Sequence, residues 1–121
     1  MSFIEKKDSK EFFRGNFLTP SFCEKGRLSV KSYVIYLLRN MPCEGNLEGR
    51  YIGRTESPLA ESSVKELLEL KRTFQYPKAE AFYASPSVRC VDTLKLLYPQ
   101  AEPEVILEMA ECDFGDWENK T

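Results

Sequence analysis

Four arginines stand where an anion could be held. Arg39 closes an apolar run, Arg89 opens a periodic segment, and Arg50 and Arg54 lie in the loop-like stretch GRYIGRT. A guanidinium fork presents paired donors that match phosphate oxygens, so these residue types point to phosphate or a phosphate ester. The sequence contains no histidine, which removes Ser–His and Cys–His nucleophile pairs, His-ligated metals and any phosphohistidine intermediate. The four cysteines, at 23, 43, 90 and 112, form no CxxC pair and no dense framework. They are expected to be free thiols in a reducing cytoplasm, with no metal site and no cofactor.

The elements that must position these arginines are legible. Tyr33 to Leu38 (YVIYLL) is apolar on both faces and rich in β-branched and aromatic residues, as a buried parallel strand is. Residues 39–59 hold Pro42, Gly45, Gly49, Gly53 and Pro58, too many breakers for a regular element. Long ordered loops of this kind usually carry function. Ala60 to Phe74 carries Val64, Leu67 and Leu68 at helical spacing, with Glu61, Lys65, Glu66 and Lys71 left for solvent. Ala79 to Ala84 reads as a second strand. Ser85-Pro86-Ser87 then supplies capping chemistry for a helix bearing Val88, Val91, Leu94 and Leu97. Val105-Ile106-Leu107 makes a third, brief strand.

Strands alternating with helices predict an α/β fold, a three-layer α/β/α arrangement around a mostly parallel sheet. In such sheets ligands collect beyond the carboxyl ends of the strands. Arg39 and Arg89 both fall at that edge. Arg89 lies in the first turn of its helix, where a cation opposes the helix dipole, and that placement suggests an anion beside it. The amides of the 87–89 turn are expected to add donors.

The chain has 121 residues, enough for one domain. Residues 1–30 stand apart as an N-terminal extension. They hold five of the eight Phe without sustained periodicity, and a short helix is expected from Asp8 to Arg14. A family-like domain is expected over 31–121. Seventeen basic against nineteen acidic residues give a net charge of −2, without the basic excess that nucleic acid requires. No signal-peptide core or membrane-spanning apolar run is visible, so the expected location is cytoplasmic.

Several motifs in order carry a resemblance. YVIYLLRN with Asn46, GRYIGRTESPLAESS, FYASPSVRCVDTLKLLYP and LEMAECDFGDWENKT together resemble the histidine phosphatase superfamily, also called phosphoglycerate mutase-like. The likeness covers about residues 32–121 and is nearest to the α-ribazole phosphatase type. It implies that Arg39, Asn46 and Arg89 hold phosphate, that Arg50 and Arg54 lie on the substrate side, and that Glu111 is the counterpart of the acid protonating the leaving oxygen. Asp113 and Glu108 are the expected sources of negative charge near it. The implied ligand is a small phosphorylated molecule or inorganic phosphate.

The departures bear on chemistry. Asn40 stands at the place of the nucleophilic His, Met41 replaces a Gly, and Cys43 takes a Thr position. An amide can donate a hydrogen bond to a phosphoryl oxygen but cannot accept the phosphoryl group covalently. The resemblance also implies further strands and a second active-site His beyond Thr121. A sheet cut there exposes apolar surface and an unpaired edge. Pairing with a second copy or with a complementing C-terminal half is therefore expected.

Overall fold

A computed structural model describes residues 2–8 and 32–121. Four strands form one sheet: β1 (Ser2–Asp8), β2 (Ser32–Leu38), β3 (Ala81–Ala84) and β4 (Glu104–Val105), in the order β2-β1-β3-β4. Helices α1 (Glu44–Leu47), α2 (Glu61–Thr73) and α3 (Val88–Leu97) fill the connections, and two 3-10 turns follow at Leu107–Met109 and Gly115–Trp117. The strands and helices predicted after residue 31 all appear, within two residues for each helix.

β3 and β4 pair in parallel, whereas β1 is antiparallel to both β2 and β3. β2, β3 and β4 therefore run the same way, as the alternating pattern predicts. β1 is the exception, and it corrects the reading of its residues as part of an extension outside the sheet. Its sequence, SFIEKKD, is too charged to announce a central strand. Pairing on both sides nevertheless engages its backbone from Ser2 to Glu5, and Ile4 is fully buried with Tyr36 and Phe82 as its neighbours across the sheet. Asp8 is strand rather than helix, and the rest of the expected 8–14 helix lies outside the described residues.

The core joins Ile4, Ala84 and Leu94, with Tyr36, Leu38, Phe82, Val91 and Tyr98 packed around them. Burying a side chain such as Leu94 stabilises the fold by about 2 kcal/mol. Tyr98 stacks at a tilt on Phe82, centroids 5.0 Å apart, and its hydroxyl donates to the Pro77 carbonyl at 2.7 Å. That bond ties the end of α3 to the chain entering β3. α3 packs on β1 and β3, and α2 packs on α3.

The opposite sheet face carries Tyr33, Ile35 and Leu37, which are 52%, 58% and 70% exposed. Among the described residues the helical layer covers one face, where the sequence pattern predicts two. No helix among them is long and apolar enough to cross a membrane. Among the described residues, Cys43, Cys90 and Cys112 form no disulfide.

Candidate phosphate site

β2, β3 and β4 point their carboxyl ends at one rim, and a cavity of about 540 Å³ opens there. Arg39, Asn40, Asn46, Arg89 and Glu111 all line it. The first two follow directly from the end of β2 at Leu38, Asn46 comes from α1, and Arg89 from the first turn of α3. Glu111 arrives from the segment after β4. Four separate stretches of chain thus bring the five residues to one place.

Arg89 is 2% exposed. Its Nη2 donates to the carbonyls of Gly53 at 2.8 Å and Ile52 at 3.5 Å, and Nη1 donates to that of Thr55 at 3.3 Å. Those bonds fix the plane of the fork but bring no negative charge, and no carboxylate among the described residues pairs with it. A buried cation satisfied by dipoles alone favours an anion in the cavity it borders. Arg39 is exposed and has no hydrogen-bond or ion-pair partner among the described residues.

The two asparagines are held by short-range bonds. Asn40 Nδ2 donates to the Met41 carbonyl at 3.0 Å, and its Oδ1 accepts from Cys90 Sγ at 3.7 Å. One amide hydrogen remains for a ligand. Asn46 Oδ1 accepts from both the amide and the thiol of Cys43, at 3.2 and 3.0 Å, which leaves its amino group as donor. Cys43 is fully buried in that cap. Thr93 was not singled out in the sequence, yet its hydroxyl accepts from the Met41 amide at 3.1 Å and donates to the Arg89 carbonyl at 2.7 Å. It fastens the loop after β2 to α3. Its sequence signal is its place in FYASPSVRCVDTLKLLYP, one helical turn after Arg89.

The 52–55 turn that faces Arg89 is itself gathered by Glu118. One carboxylate oxygen accepts from the amides of Arg54 at 2.9 Å and Phe114 at 3.1 Å. The other accepts from the amides of Gly53 and Thr55 and from the Thr55 hydroxyl. Gly53 must be glycine because a Cβ there would fall on the Cys112 carbonyl oxygen and lie 2.5 Å from Glu118 Oε1. Phe114 and Trp117 pack on Tyr51, with centroids 5.4 and 6.2 Å away.

The Thr55 hydroxyl foremost, with the three amides of Phe114, Arg54 and Thr55, holds the Glu118 carboxyl down to about 2, from an ordinary 4.5. A group depressed on folding contributes stability that is complete above its ordinary value and is lost as pH falls through its folded value. Wild type is therefore expected to lose melting temperature between about pH 4.5 and pH 2 more steeply than Glu118→Gln. Parallel melting curves across that range, superimposable after a constant offset, would refute this role.

A second cavity, of about 330 Å³, lies on the other side of Glu111, which lines both. Arg54, Glu56, Ser85, Ser87 and Leu107 also border it. Arg54 is thus on the wall of this second cavity. Arg50 is not: it pairs with Glu48 at 2.7 Å and donates to Asn119 Oδ1 at 3.2 Å, and it borders neither cavity. The amides of the 87–89 turn also depart from expectation. The Val88 amide donates to Glu56 Oε2 at 3.2 Å, and the Ser87 amide faces Ser85 Oγ at 3.5 Å. The start of α3 is capped by the chain's own carboxylate, and Ser87 makes no side-chain cap. Asp113 accepts from the Gly115 amide at 2.8 Å, and neither it nor Glu108 borders these cavities. Glu56 is the carboxylate that shares a wall with Glu111.

Comparison with known proteins agrees with this architecture. The chain superposes on the α-ribazole phosphatase of Shigella flexneri with a TM-score of 0.61 and 25% identity, over 69% of this chain and 42% of that one. The phosphoserine phosphatase of Entamoeba histolytica, solved in complex with 3-phosphoglyceric acid, gives 0.59 and 27%, over 68% and 41%. Bacillus stearothermophilus YhfR gives 0.59 and 27%, over 69% and 42%. The chain therefore spans about two fifths of the length of these phosphatases, and it shares their phosphoglycerate mutase-like α/β fold. No curated protein sequence matches it. Residues 35–121 match the histidine phosphatase superfamily (branch 1), and with most of its length inside that match the chain belongs to the histidine phosphatase superfamily.

Proposed function

We propose that this chain binds the phosphoryl group of small phosphate esters, and free phosphate, at the carboxyl rim of its sheet, without hydrolysing them by itself. The observation that carries this reading is the single cavity lined by Arg39, Asn40, Asn46, Arg89 and Glu111, whose buried guanidinium has no carboxylate partner among the described residues. Arg39 and Arg89 supply charge and paired donors, and the asparagine amides supply neutral donors. In this reading Glu111, on the wall of the cavity, is the group beside the ester oxygen. The step that fails is the first one, because Asn40 offers an amide where phosphoryl transfer needs an imidazole nitrogen.

Titration of the full chain with inorganic phosphate tests this reading. A ligand that binds only the folded state stabilises it by about 2.7 kcal/mol at a hundred times its dissociation constant, so millimolar phosphate is expected to raise the melting temperature by several degrees. An unmoved melting temperature with phosphate, matched by sulfate and chloride controls, would remove it.

A second reading is favoured by one observation. The sheet face at Tyr33, Ile35 and Leu37 is exposed, and the superposition covers only about two fifths of each phosphatase. In that reading the chain is one part of a two-piece phosphatase, and a complementing chain or a second copy covers the face.

A further inference from the structure

We propose that the cavity beyond Glu111 is the subsite for the alcohol of the ester. It selects uncharged, hydroxyl-bearing alcohols over those with a second anionic group. This rests on the phosphate-site reading above. Glu111 lines both cavities, so an ester whose phosphoryl group lies among Arg39, Asn40, Asn46 and Arg89 reaches past Glu111 into the second chamber. At about 330 Å³ the chamber has room for a group of several carbons.

Its lining sets the class of alcohol. Glu56 and Glu111 place two carboxyl groups on the wall against one guanidinium, Arg54, which is exposed to solvent. The Glu56 carboxylate by itself balances Arg54 and leaves no positive charge on this wall for another anion. Glu56 cannot readily turn aside, since it accepts from the Val88 amide at the start of α3. Hydroxyl groups meet suitable partners instead. Glu56 accepts, and the Ser87 hydroxyl is 7% exposed as a residue and without a hydrogen-bond partner of its own. A hydroxyl rotor can turn to a ligand atom at small cost. Pro86 and Leu107 offer apolar surface to the carbon skeleton.

Two three-carbon esters isolate the effect. Glycerol 3-phosphate and 3-phosphoglycerate share the phosphate and the central hydroxyl, and differ by a hydroxymethyl group against a carboxylate. Calorimetric titration of the full chain is expected to give glycerol 3-phosphate at least a tenfold tighter dissociation constant. In Glu56→Gln, which keeps an acceptor for the Val88 amide, the ratio between the two is expected to approach one. Ser87→Ala is expected to weaken glycerol 3-phosphate severalfold relative to inorganic phosphate. If inorganic phosphate binds and 3-phosphoglycerate matches or exceeds glycerol 3-phosphate, the selectivity is overturned while the phosphate site stands. If inorganic phosphate itself fails to bind, the underlying site falls and this proposal with it. The wild-type ratio decides the matter even if either variant does not fold.

Discussion

Arg89→Met is expected to abolish the rise in melting temperature that phosphate produces, with phosphate affinity falling about 100-fold or more, roughly 3 kcal/mol. Methionine keeps a flexible apolar stem of similar reach but removes the charge and the fork. Two losses follow. The cavity loses its buried cation, and the carbonyls of Ile52, Gly53 and Thr55 lose their shared donor. Leaving buried acceptors unpaired costs about 1 to 3 kcal/mol each, so the free protein is also expected to melt earlier. Arg89→Lys separates the two effects. It retains the charge but cannot reach three carbonyls with a planar fork, so it should fold and bind phosphate about tenfold more weakly. Undiminished phosphate affinity in Arg89→Met would show that the cavity does not hold the anion through this residue.

Asn40→His is expected to leave hydrolysis of p-nitrophenyl phosphate at the blank rate. Loss of a nucleophile costs on the order of 10⁶ in rate, and restoring it returns that factor only if the remaining groups are present. These 121 residues hold no histidine of their own. The chain spans about two fifths of the phosphatases it superposes on, and the resemblance implies a second histidine in the remainder. The imidazole would also stand where Asn40 now braces Met41 and Cys90, so its orientation would not be set by the same bonds. The informative comparison supplies the missing part. Asn40→His co-expressed with a complementing C-terminal half is expected to show turnover, and its activity alone is expected to show none. Turnover by the single variant alone would overturn the argument, and failure to form any complex would remove the two-piece reading.

Much of the fold is readable because it is local. The apolar run before Arg39, the helical spacing of Val64 and Leu67, and the breaker after Tyr98 each act within a few residues. They place β2, α2 and α3 close to their observed ends. The alternation of strand and helix then sets three strands running the same way, and with them the rim where Arg39 and Arg89 meet. β1 escaped this logic. Its two apolar residues, Phe3 and Ile4, are adjacent and followed by four charged ones, so the sequence has no period to detect.

What the sequence by itself determined is the family, the order of the main elements after residue 31, and the residues Arg39, Asn40, Asn46, Arg89 and Glu111 that come to line one cavity. These depend on residue type and near spacing. Tertiary structure decided which groups remain available to a ligand. It turned Arg50 to Glu48, gave the start of α3 to Glu56, and hung the turn facing Arg89 on Glu118, more than sixty residues away. The reason is competition for hydrogen-bond partners. Each donor and acceptor goes to whichever buried group the fold brings nearest, and that choice is made only when distant segments pack together.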